Sequence, residues 1–301
     1  MTPPTPPHAT RERSRVALVT CDLMPELWAD DLPLRDALRA RGIEAEAVSW
    51  DDATTDWASY DLVVIRSPWD YVPRREEFIA WAHRVPRLLN PADVLEWNTD
   101  KRYLGELARS GLPVTPTEFV SPSETWTPPR TGEWVVKPTV SAGSQDTGRY
   151  VLPEQAGLAA AHVTRLTSAG RTAMIQPYLA AVATLGETAL IYLPDDTGDL
   201  SYSHAIRKGP MLRGPGEGAH DPGSEQIDPR EPTEAERRAG DRVLEAIPGG
   251  TKRLLYARVD LIPGPDGDPL LVELELAEPS LFLRSAEGAT RRLTEAVLSR
   301  L

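Results

Sequence analysis

Residues 254–276 read LLYARVDLIPGPDGDPLLVELEL. Two apolar runs, 254–262 and 270–276, flank a turn rich in Gly, Pro and Asp, which is the pattern of a β-hairpin. Carboxylates interrupt the pattern at Asp260, Glu273 and Glu275. On a strand, residues 273 and 275 share one face, and a turn at 263–269 returns the second strand so that Asp260 joins them. Three carboxylates converging among apolar neighbours repel one another. Either they hold Mg²⁺, a hard cation that completes its shell with phosphate oxygens and water, or they form the solvated face of an alternating strand. The adjoining apolar runs suggest a sheet covered on both sides, which favours the metal.

Upstream, ETALIYL (187–193) and LSYSHAIRK (200–208) predict a hairpin around PDDTGD, and residues 233–246 predict a helix. The stretch 209–231, rich in Gly, Pro and charge, reads as a mobile loop. Before that, the strand WVVKP (134–138) leads into SAGSQDTGRY (141–150), a helix near 154–169 and the strand MIQPYL (174–179). The glycine loop fits neither the Walker A spacing nor the dinucleotide fingerprint. It does follow a strand carrying Lys137, and its small residues let backbone N–H groups close over phosphate oxygens. Lys137 is then either a phosphate ligand or a solvated strand-edge cation. Thr99 predicts the cap of a helix ending at Gly111, with Pro113 beyond it.

The first third alternates strands (15–21, 43–50, 61–67) with helices (32–42, 75–85), implying a doubly wound parallel layer. A terminal helix is expected from about residue 286 to 301. Ligands of such sheets sit beyond the carboxyl ends of the strands. That places Cys21, Asp22 and the loop RSPWDY (66–71) at the rim of a site. Arg66, Trp69, Asp70 and Tyr71 are therefore candidate substrate contacts, with Asp70 suited to an amino group and Trp69 to a pocket wall. Packing at a domain seam is the equal alternative for Trp69 and Tyr71.

The chain has 301 residues with 33 basic and 45 acidic side chains, a net charge of −12 that argues against wholesale binding of nucleic acid or anionic membrane. A single Cys21 excludes a disulfide framework or a cysteine-built zinc site. No apolar run approaches the roughly 20 residues of a membrane span. The Pro/Thr/Arg-rich residues 1–14 read as a disordered tail without a secretory core, so a soluble cytoplasmic protein is expected. Of the 33 basic residues only four are lysines: Lys101, Lys137, Lys208 and Lys252. In a chain this biased to Arg, a surviving Lys marks a place for a compact, flexible ammonium, although chance accounts for any one of them. No Ser-His-Asp or Cys-His signature occurs, and His204 is either a base or a structural residue.

The order of these parts resembles the ATP-grasp ligase superfamily, and within it the glutathione-synthetase and ribosomal-modification type, from Arg15 to the C-terminus. The resemblance implies an α/β fold with a Rossmann-like doubly wound domain (15–98), then a central (99–182) and a C-terminal (183–301) α+β subdomain that clasp ATP. NPADVLEWNTDK (90–101) resembles the segment ending in a phosphate-binding lysine, here Lys101. WVVKP implies the same role for Lys137, and SAGSQDTG resembles the flap over the triphosphate, bringing in Ser141, Gly143 and Ser144. QPYL is similar to the adenine hinge, which implicates Gln176 and the backbone of Tyr178 and Leu179, with Glu187 for the ribose hydroxyls. ARVD implies Arg258 as charge stabiliser and Asp260 as magnesium ligand. VELE matches the Glu-x-Asn pattern, with Glu273 as bridging ligand and Glu275 standing where Asn is usual. Lys208 is a catalytic candidate, for a phosphate or the substrate carboxylate, and Arg284 is a second candidate for that carboxylate.

RSPWDY, LNPADVLEWNTDKRYL, SHAIRKGP and VELELAEPSLFL together look like a narrower branch. That branch includes the cyclising ligase of D-cycloserine biosynthesis, which closes O-ureido-D-serine with ATP. The implied activity is an ADP-forming activation of a small amino-acid carboxylate as acyl phosphate, followed by ring closure. An intermolecular carboxylate–amine ligase and a non-catalytic ATP-binding regulator are the alternatives. ATP and Mg²⁺, with Mn²⁺ as a substitute, are the implied cofactors. The implied partner is a small amino-acid-like molecule, with homo-oligomerisation as an option.

Overall fold

A computed structural model describes residues 13–210 and 226–301. Most of the tail expected over 1–14, and residues 211–225 of the expected loop, lie outside the described residues.

The N-terminal sheet contains β1 (Arg15–Thr20), β2 (Glu44–Ser49), β3 (Leu62–Ile65) and β4 (Leu88–Leu89), all parallel, in the order β2-β1-β3-β4. Helices α1 (Leu32–Ala40) and α2 (Arg75–Ala82) connect its strands. The inner strand β3 is buried along its whole length, which explains its continuous apolar run. Leu34 and Leu38, four apart on α1, bury one helical face against the sheet.

Next come α3 (Ala92–Asn98) and α4 (Tyr103–Arg109). Here the expected cap is corrected. Thr99 ends α3 and donates its hydroxyl back to the Leu95 carbonyl at 2.7 Å. Asp100 instead accepts from the Arg102 N–H at 3.1 Å, in the turn before α4. The central antiparallel sheet, β5 (Glu118–Val120), β6 (Gly132–Pro138), β7 (Gly148–Leu152) and β8 (Ala173–Pro177), runs in the order β5-β8-β6-β7 and packs on α5 (Ala156–Ser168).

After the short α6 (Val182–Leu185), β9 (Glu187–Pro194) and β10 (Leu200–Lys208) form the expected hairpin. Residues 227–230, expected in a loop, instead form β11 (Ile227–Arg230) beside β10. Pro229 donates no ladder hydrogen bond, and β11 lies where such a residue is tolerated, at the edge. Helix α7 (Glu234–Glu245) begins with a capping box between Thr233 and Glu236. Strands β12 (Ala257–Pro263) and β13 (Pro269–Glu275), followed by α8 (Ala289–Leu298), complete the sheet order β11-β10-β9-β12-β13.

This C-terminal sheet is covered on both faces. Leu190, Tyr192, Val259 and Leu261 pack with residues of α4 and α7. Ala189, Ile191 and Leu193 point the other way, into a cluster shared with α1, α8 and the N-terminal sheet. Among the described residues no helix is long and apolar enough to cross a membrane.

Candidate active site

A cleft of about 690 Å³ is lined by the central sheet, the C-terminal sheet and the loops after β1 and β3. Its floor is the β12–β13 hairpin. The antiparallel register sets Asp260 opposite Glu273 and Arg258 opposite Glu275, and all four side chains line the cleft. The chain's two asparagines fix this floor from behind. Asn90 donates to the carbonyls of Tyr256 (3.0 Å) and Leu276 (2.6 Å) and accepts from the Leu255 N–H at 2.7 Å. Asn98 donates to the Leu274 carbonyl (2.8 Å) and accepts from the Leu276 N–H at 2.7 Å. Each buried amide thus uses both its donor and its acceptor on strand backbone.

Each carboxylate of this floor is paired with a cation, and Asp260 and Glu273 share none. Asp260 accepts from Lys208 Nζ at 2.7 Å and from Arg258 Nε and Nη2 at 2.9 and 2.8 Å. Burial alone would raise its pKa, but these two cations hold it well below the ordinary carboxylate range. Lys208 also contacts Glu187, its register partner across the β9–β10 hairpin. Burial nevertheless pushes Glu187 up to about 7. Glu275 pairs with Arg258, and burial pushes it up to about 8. Glu273 stands 3.0 Å from Lys101 Nζ.

The expectation that three carboxylates converge on one ion is therefore corrected. Among the described residues no three acidic, His or Cys side chains are gathered at metal-binding distance. Glu275, where Asn is usual, faces Arg258. The donor set still suits Mg²⁺, which takes one or two protein carboxylates and fills its remaining positions with phosphate oxygens and water. Asp260 and Glu273 are such a pair.

Lys101 Nζ also donates to the Ser141 carbonyl at 2.7 Å, fastening the root of the glycine loop. Gly143 and Ser144 follow with left-handed φ of 56° and 55°, and both line the cleft. Further along, Asp146 ties the loop to Arg165 on α5 and to Arg171 at 2.9 Å. Lys137 also lines the cleft, so it is not an outward strand-edge cation. Burial lowers its pKa. Gln176, Tyr178 and Leu179 sit on the wall formed at the end of β8, where Gln176 donates to Thr117 at 3.0 Å.

The loop after β3 departs from expectation. Arg66 is buried behind the wall, where it donates to Asp31 at 2.7 Å and to the Pro279 carbonyl at 2.8 Å. Asp70 accepts from Trp50 Nε1 at 2.7 Å and from Arg74 at 3.3 Å, away from the cleft. Tyr71 is buried against Phe78, and burial, with the Glu278 carboxylate nearby, pushes its pKa well up. Of these four residues only Trp69 lines the cleft, with Arg284 on the same rim. His204 is a tie rather than a base: its buried Nε2 lies 2.8 Å from the Leu281 carbonyl. Sequence reasoning passed over Trp28, Asp30 and Glu278, all of which line the cleft. Trp28 and Asp30 sit in no quoted motif, and Glu278, although inside VELELAEPSLFL, was not singled out there.

The family described as D-cycloserine synthetase DcsG, N-terminal domain, matches residues 16–90. The cycloserine biosynthesis protein DcsG of Streptomyces lavendulae is 38% identical over 95% of this chain and 98% of its own length. The chain belongs to the DcsG family of ATP-grasp ligases.

The crystal structure of D-cycloserine synthetase DcsG superposes with a TM-score of 0.84 at 37% identity, covering 95% of this chain and 99% of that one. The ATP-grasp ligase PsnB, complexed with a precursor variant, Mg and ADP, shares the fold alone: TM-score 0.56 at 18% identity, over 96% and 99% of the two chains. The chain is thus an enzyme of the DcsG family with the ATP-grasp fold.

Proposed function

We propose that this ligase uses ATP to activate the carboxylate of a small amino acid and then closes a ring on it, with O-ureido-D-serine as substrate and D-cycloserine as product. The observation that carries the reading is the set of cations, Lys101, Lys137, Lys208 and Arg258, lining one cleft with Asp260 and Glu273. The full-length likeness to DcsG supports the substrate class.

The physical difficulty is bringing a carboxylate oxygen against the γ-phosphorus despite mutual repulsion. Lys101 and Lys137 are point charges on flexible stems that can follow phosphate oxygens as they move. Arg258, buried and fixed by Asp260 and the Ser280 carbonyl, offers a preorganised charge for the transferring group and the oxyanion that follows. Asp260 and Glu273 would hold Mg²⁺, which when bound neutralises phosphate charge and aligns the in-line transfer; Mn²⁺ is proposed as a working substitute. The loop 141–148 would exclude water from the acyl phosphate. The ureido nitrogen bonded to oxygen then attacks the acyl carbon and phosphate leaves. Hydrolytic loss of the carbamoyl group as carbon dioxide and ammonia balances the conversion. Nucleophile and electrophile belong to one molecule, so proximity replaces a second binding event.

The test is a product analysis with O-ureido-D-serine as sole amino acid. ADP, phosphate and D-cycloserine, at a rate independent of any added amine, are expected. A requirement for a second amino acid, with a linear dipeptide formed, would replace cyclisation by intermolecular ligation. AMP and pyrophosphate would overturn both.

A further inference from the structure

We propose that Glu278 is the anchor for the substrate's ammonium group and that Tyr71 positions it, an assignment that rests on the amino-acid ligase reading above. Six acidic side chains line the cleft: Asp30, Glu187, Asp260, Glu273, Glu275 and Glu278. Four of them are ion-paired to Lys101, Lys208 or Arg258. Asp30 is occupied by the backbone N–H groups of Leu283 (2.9 Å) and Arg284 (3.2 Å). Glu278 alone has neither a cationic partner nor a backbone N–H donor among the described residues. Its carboxylate neighbours the Tyr71 hydroxyl, while burial raises its pKa. A partly buried carboxylate without a counter-ion, open to a cleft, is a place for an arriving cation.

The backbone around Glu278 is fixed to an unusual degree. Trp69 Nε1 donates to the Glu278 carbonyl at 3.2 Å, Arg66 to that of Pro279 at 2.8 Å, and Arg258 to that of Ser280 at 3.2 Å. Arg258 therefore joins the phosphate end of the cleft to the segment that carries Glu278. In an α-amino acid, ammonium and carboxylate are borne on the same carbon. Ammonium on Glu278 thus turns the carboxylate toward Arg258 and the phosphates. Trp28 and Trp69, whose ring centroids are 5.5 Å apart, line the cleft as apolar wall and offer faces that attract a cation. Buried Tyr71 holds Glu278 from behind, which explains why the residue lies outside the cleft.

The experiment compares kcat/KM for O-ureido-D-serine and for its analogue lacking the α-amino group, in the wild-type enzyme, Glu278→Gln and Tyr71→Phe. The wild type should favour the amine by roughly 10- to 100-fold, the range for a hydrogen bond to a charged group. Glu278→Gln should lose most of that preference through a raised KM for the amino substrate, with the KM for ATP unmoved. Tyr71→Phe should fall between the two. Equal losses on both substrates, or a wild type that does not distinguish them, would overturn the assignment. A wild type that releases no ADP with either compound would overturn the ligase reading, and this assignment with it.

Discussion

Asp260 and Glu273 stand opposite each other on adjacent strands yet share no cation: Asp260 takes Lys208 and Arg258, and Glu273 takes Lys101. The same groups that suit a magnesium nucleotide therefore neutralise one another. On the proposed reading, nucleotide binding would exchange these partners, with lysines moving to phosphate and carboxylates to metal.

Asp260→Asn and Glu273→Gln should each lower turnover by orders of magnitude, because metal positioning is lost while volume is kept. Arg258 retains Glu275, and Lys208 retains Glu187, so the Asn variant should still fold. Steady-state ATP turnover with thermal melts of the same samples is the check. Near-normal activity in both variants contradicts the metal assignment.

The Lys137 side chain makes no hydrogen bond or ion pair among the described residues, and burial depresses its pKa. Lys137→Arg keeps the charge but replaces a compact ammonium by a planar fork. Nucleotide affinity measured by calorimetry should drop. An unchanged affinity would make Lys137 a bystander of the cleft.

The buried Arg66–Asp31 pair is structural, so its removal should register in stability. Breaking such a pair from one side costs about 3–5 kcal/mol, since the remaining charge is left buried. Arg66→Met should lose that much in urea unfolding, and adding Asp31→Asn should recover part of it. A double variant as unstable as the single one contradicts this account.

His204 is buried, and desolvation lowers its pKa from the usual 6.5. Below pH 6.5 the unfolded state binds a proton that the folded state refuses, so stability should fall as pH drops from that value. His204→Gln should flatten this part of the pH profile of the melting temperature. An identical slope in the variant would remove His204 from the acid sensitivity.

Features set by local pattern were legible in the sequence. The facing of Asp260 and Glu273 follows from two apolar runs and one turn, and the parallel N-terminal layer follows from alternation of strand and helix periods. Features set by distant chain were not. Arg66 looks like a rim residue until the Pro279 carbonyl, 213 positions away, is placed against it. Glu278 gains its meaning from which other carboxylates are already paired, and no local spacing reports that. Strand β11 was hidden because Pro229 argues against a strand everywhere except at an edge. Thr99 has the side chain of a helix-opening cap, and only the chain path shows that it ends α3 instead of opening α4.

The central claim is that the substrate's own carboxylate is activated by phosphoryl transfer in this cleft. O-ureido-D-serine labelled with ¹⁸O in the carboxylate tests it most directly, with mass analysis of the inorganic phosphate released. One labelled oxygen should appear in phosphate for each D-cycloserine formed. Unlabelled phosphate accompanying labelled product would contradict the acyl-phosphate route.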